Sequence, residues 1–151
     1  MTSEIFSELI SASMRDAGNF ILGIRNERVD SVGQAAERFG LFPSEDIYVE
    51  IDAEMARSVL KEVFAYDMPH HLEMMPPERA KTLASAFVDA FAGEGATYFS
   101  NGDFGRWGAA NLPEGMILAS TAMQATEATF EVGVLVITPH RIACAWVMDE
   151  D

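Results

Sequence analysis

Cysteine occurs once in the chain, at position 144. A single thiol excludes an internal disulfide and any zinc site built on paired cysteines, and it fits a reducing compartment, so a cytoplasmic protein is expected. Histidine is nearly as scarce. His70, His71 and His140 occupy two places in the chain, which leaves little material for a metalloenzyme or a histidine-based hydrolase. No apolar run approaches the roughly 18 residues that a bilayer span needs. The opening Met1-Thr2-Ser3-Glu4 has no basic stretch leading into an apolar one, so neither a leader nor membrane association is expected. Phosphate loops, nucleophile elbows and dinucleotide fingerprints do not occur. No catalytic residue, metal or cofactor is therefore assigned, and the balance is against an enzyme.

Positive charge is the other shortage. Ten Lys and Arg face 24 Asp and Glu, for a net charge of −14 over 151 residues. Residues 1–81 hold 15 acids and 8 bases and residues 82–151 hold 9 and 2, so each part carries −7. The acidity belongs to the whole body and is not confined to a tail. Such a field repels nucleic acid and anionic lipid and attracts a basic protein. Solubility alone would also account for it.

What is present is a globular composition, 49% hydrophobic and 23% charged, at the length of one domain spanning residues 1–151. Ile5, Phe6, Leu9, Ile10 and Met14 fall on one helical face, which predicts a helix over residues 2–17 capped by Gly18. Residues 19–24 are too short and apolar to assign by period. Ser31 with Gln34 reads as a capping box opening a short helix to residue 39, closed by Gly40. Alternation over residues 46–51 predicts a half-buried strand. Asp52 then caps a helix over 53–66 whose stripe is Met55, Ala56, Val59, Leu60, Val63 and Phe64. Pro77 opens another, with Ala80, Leu83, Ala84, Phe87, Val88 and Phe91 on its apolar side.

Beyond Gly95 the period changes to two. Strands are predicted over 96–100, 116–123, 129–138 and 141–147, with Asn101-Gly102 as a hairpin turn and Pro139-His140 as a tight connection. Helices thus come early and strands late. The expected fold is α+β, with N-terminal helices packed on one face of a C-terminal, mainly antiparallel sheet of about four to five strands.

Four constellations bear on function. His70-His71, with Asp67 and Glu73 nearby, has metal-ligand chemistry, but adjacent residues rarely point at one ion, and Met68, Leu72, Met74 and Met75 around them read as core plugs or a contact surface. Cys144 with His140 has the elements of a thiol nucleophile, yet Ile142-Ala143-Cys144-Ala145-Trp146 is apolar on both faces and favours an inert, buried thiol. The glycine-rich 101–115 segment carries Phe104, Arg106 and Trp107, residue types that anchor interfaces; the alternative is that Phe104 and Trp107 fold back on the sheet. Glu45, Asp46, Glu50, Asp52 and Glu54 lie within ten residues with no base among them, either a surface for a basic partner or a solvated face plus a helix cap. The terminal Asp149-Glu150-Asp151 reads as a solvated tip, or as an extension of the acidic face.

These features favour a small acidic inhibitor of the immunity-protein type that neutralises a basic toxin or nuclease by charge complementarity. Its partner-binding residues would be Glu45, Asp46, Glu50, Asp52, Glu54, Phe104, Arg106 and Trp107. Alternatives are a DNA-mimicking anti-restriction protein, a secretion chaperone, and an enzyme with a site around His70, His71 and the 101–115 loop.

Overall fold

The stripe from Met55 to Phe64 forms the central helix of the protein. The computed structural model describes residues 2–150. The elements are α1 (Thr2–Ala12), β1 (Phe20–Arg25), α2 (Val32–Arg38), β2 (Val49–Ile51), α3 (Ala53–Ala65), α4 (Pro77–Asp89), β3 (Thr97–Ser100), α5 (Gly115–Ser120), β4 (Phe130–Ile137) and β5 (Ile142–Asp149). Every strand pairs antiparallel, in the order β1-β5-β4-β3-β2. No helix among the described residues is long and apolar enough to cross a membrane.

The period-two pattern of the late strands divides the core. Val132, Val134 and Val136 of β4 and Ala143, Ala145 and Val147 of β5 face α1, α3 and α4. Leu135, Cys144 and Trp146 face the opposite way, where α2 and the following segment cover them with Val32, Ala36, Leu41, Ile47 and Tyr48. Helical cover on one face only was expected, but both faces are covered. The reason is that β4 and β5 are apolar at nearly every position, and a strand buried on both faces needs two layers.

Other expectations need correction. Helix α1 stops at Ala12, not Ala17, and Gly18 is not its cap. Arg15 turns inward to a buried partner described below, which is incompatible with continuing an exposed helix. Residues 45–47 form a 3-10 turn, so the strand predicted over 46–51 is reduced to Val49–Ile51. Asn101-Gly102 closes no hairpin. Asn101 is buried and its amide donates to the carbonyls of Met123 and Glu131, at 2.9 and 3.0 Å, tying together the ends of a long excursion. Residues 116–123 are not a strand; α5 occupies Gly115–Ser120, with Leu118 alone of its large side chains buried. An apolar run with one buried side chain has no period to read.

The caps behave as sequence chemistry dictates. Ser31 accepts from the Gln34 N–H at 3.2 Å, and Asp52 accepts from the Met55 N–H at 2.7 Å. Substituting Asp52→Ala is expected to cost about 1 kcal/mol, the usual worth of an N-cap, read as a shift in urea midpoint at unchanged slope.

Candidate functional site

Pairing of β2 with β3 brings Glu50 opposite Phe99 and Ile51 opposite Tyr98. The chain leaving β3 therefore starts beside β2, and it folds back over the first turn of α3. Between them lies a concavity of about 310 Å³ lined by Glu50, Asp52, Glu54 and Asp103, with Ile51, Met55, Gly105, Gly108 and Ala109 completing the wall. Among the described residues, no Lys or Arg lines it. The side-chain carboxylates of Glu50, Glu54 and Asp103 have no hydrogen-bond or ion-pair partner among the described residues. Asp52 is committed to its cap. Uncompensated carboxylates in a concave, partly apolar setting concentrate negative potential there.

The loop is anchored from inside. Phe104 is fully buried, so it belongs to the core and not to a binding surface. Gly102 permits this, since a Cβ at that position would sit 2.6 Å from the Phe104 ring. Trp107 is half-buried, its ring 6.4 Å from that of Phe104, and the Arg106 guanidinium lies 4.2 Å from its centroid. Arg106 thus stays on the surface of the loop that walls the concavity, while Trp107 folds back with one side packed against the main core and the other left exposed.

Glu45 and Asp46 lie elsewhere. Glu45 accepts from the Gly33 N–H at 2.5 Å, in the first turn of α2, an approach open only to glycine because a Cβ there would stand 1.9 Å from the carboxylate oxygen. Glu45 is an anchor for α2. Asp46 is exposed beside it and lines no part of the concavity. Of the eight predicted contact residues, the fold brings Glu50, Asp52 and Glu54 together with the loop of Arg106 and Trp107, and adds Asp103.

The histidines occupy a second cleft, of about 260 Å³, lined by Met68, Pro69, His70, His71, Glu114, Met116 and Ile117. His71 stacks on Tyr66 with centroids 4.1 Å apart, and its Nε2 lies 3.0 Å from Glu62 Oε1. Asp67 is used to turn the loop, accepting from the Leu72 N–H at 2.7 Å. Among the described residues, no group of three or more His, Cys, Asp or Glu is placed to hold a metal ion. Cys144 is fully buried, donates to the Ile21 carbonyl at 3.6 Å, and burial pushes its thiol pKa up, which removes it as a nucleophile at neutral pH.

Comparison with known proteins found no family model, no curated protein and no solved structure that matches this chain.

Three charged residues that no local pattern marks as buried lie in the interior: Arg15, Glu131 and Asp149. Asp149, expected in a solvated tip, is 5% exposed. It holds Arg15 through two contacts, Nε–Oδ1 at 2.8 Å and Nη2–Oδ2 at 2.9 Å. Arg15 also donates to the Tyr66 carbonyl at 2.8 Å, and Asp149 accepts from the Met68 N–H at 3.0 Å. Asp151 lies outside the described residues. Glu131, on β4, accepts from the N–H groups of Ala125 and Thr126, the Thr126 hydroxyl and the Trp146 indole. The one available signal was a lone acid inside an otherwise apolar strand.

Proposed function

We propose that the chain is a small acidic inhibitor of the immunity-protein type, which neutralises a basic toxin or nuclease by charge complementarity. The observation that carries this reading is the convergence of Glu50, Asp52, Glu54 and Asp103 on one concave surface without a base. These acids come from two segments about fifty residues apart in sequence. A net charge of −14 adds a long-range field that steers a basic partner toward the protein. The concavity provides short-range contact for Lys or Arg side chains, and Trp107 supplies an aromatic anchor beside it. The proposed setting is the cytoplasm, where such an inhibitor protects its own cell.

The test uses the protein as bait at low and high salt, alongside the double variant Glu50→Lys/Glu54→Lys. Both side chains are exposed and unpartnered, so the reversal leaves the core intact, at a cost under about 1 kcal/mol from the first turn of α3. A basic protein retained at low salt, weakened by salt, and associating about 10–100-fold more slowly with the double variant is the expected result. Retention of no basic protein, or of one that binds the double variant equally well, overturns the proposal.

A further inference from the structure

We infer that the cleft between the 67–75 loop and α5 binds a small primary amine with an apolar body. The inference does not depend on the proposed inhibitor role, since the cleft shares no residue with the acidic concavity. His71 is the one non-glycine residue among those described with a left-handed backbone, at φ 55°. Stacking on Tyr66 and the contact to Glu62 fix its ring while leaving it partly exposed. The backbone under it is held by the Asp67–Leu72 pair and by Met68 bound to buried Asp149. A strained residue with an oriented imidazole on an anchored loop is more order than a surface connection needs, and such order gathers at binding sites.

The opposite wall is built as closely. A Cβ on Gly115 would meet the Met68 Cα at 2.9 Å, so glycine is what lets the start of α5 rest against the histidine loop. The result is a cleft with apolar sides and a polar rim. Met116 and Ile117 stand 50% and 56% exposed at its edge, apolar area that a ligand body would cover. Methionine suits such a wall because it adapts its shape.

The polar groups select the head of the ligand. The Glu114 backbone carbonyl accepts from the Leu118 N–H, but the side-chain carboxylate has no hydrogen-bond or ion-pair partner among the described residues. An ammonium has three donors, enough for the Glu114 carboxylate and for Nδ1 of His71, the ring nitrogen that does not face Glu62. Among the described residues no Lys or Arg lines the cleft to compete with it, and the charge of −14 enriches cations around the protein. A ligand carboxylate would instead face Glu114.

Benzylamine, benzyl alcohol and benzoate share a ring and differ in the head group, and n-butylamine reproduces a lysine side chain. Each is titrated into the protein labelled at methionine and isoleucine methyls, following Met116 and Ile117 by NMR. Benzylamine is expected to give saturable shifts there and to bind at least about tenfold tighter than the other two ring compounds. Glu114→Gln, at an exposed and unpartnered position, should weaken it by about tenfold, the worth of one charge-assisted hydrogen bond, while Glu54→Gln in the other site should not. Equal binding of benzoate or benzyl alcohol, or an equal response to both variants, overturns the inference, the latter because it shows only diffuse attraction to an acidic surface. n-Butylamine binding tighter than benzylamine would move the site from a free amine to a protein lysine and overturn the assignment as well.

Discussion

Asp149→Ala is expected to cost about 3–5 kcal/mol of stability, because it leaves the Arg15 guanidinium buried without its counter-charge. Arg15 has 2% of its side chain exposed and Asp149 has 7%, so water cannot replace the lost partner without opening the fold. The pair also joins remote parts of the chain. Through Arg15 it holds the carbonyls of Phe64 and Tyr66 at the end of α3, and through Asp149 it holds the Met68 N–H. Against a total of about 5–15 kcal/mol for a domain, this loss is expected to unfold a large fraction of the protein on moderate warming. Equilibrium urea unfolding checks it. The double variant Arg15→Met/Asp149→Leu, which removes both charges and keeps apolar volume, is expected to recover a substantial part of the loss. If Asp149→Ala shifts the midpoint no more than an ordinary surface substitution, the pair does not close in solution as described. A surface ion pair such as Arg79–Glu8, with both side chains about half exposed, should by contrast be worth under about 1 kcal/mol.

Glu131→Leu is the second large effect, expected at roughly 3 kcal/mol or more. Its carboxylate is the acceptor for four donors at 2.7–3.1 Å. Leucine has similar volume and no acceptor. The N–H groups of Ala125 and Thr126 and the Trp146 indole would then lose their partner, each buried donor costing about 1–3 kcal/mol, less than additively because they share one site. The neighbourhood leaves no room to adjust. Trp146 is completely buried and lies against Gly133, where a Cβ would stand 2.4 Å from the indole ring. Chemical unfolding measures the loss, and the fluorescence of Trp146, read in a Trp107→Phe background, should report a changed environment in the native state. An unaltered midpoint and spectrum would mean that the indole and the 125–126 turn hold themselves in place without Glu131.

How much of this was legible beforehand follows from the range of each interaction. The α3 and α4 stripes and the caps at Ser31 and Asp52 are written in neighbours three or four residues apart, and the two strands after residue 128 in short, continuous apolar runs separated by Pro139-His140. Local sequence therefore determined them, together with the α+β class. The net charge of −14 is likewise a property of composition. Four features needed the tertiary structure: the burial of Arg15 against Asp149, Glu131 accepting the Trp146 indole N–H, Asn101 spanning two segments, and helical cover on both faces of the sheet. Each joins residues from separate elements, up to 134 positions apart for Arg15 and Asp149. Residue type alone reads an acid near a chain end as solvated, and only packing shows that a base has been brought to it. The acidic surface divides in the same way. Its existence is compositional, but which carboxylates converge was decided by the β2–β3 pairing that sets Asp103 beside Glu50 and Glu54, because convergence is a matter of distance in space and not along the chain.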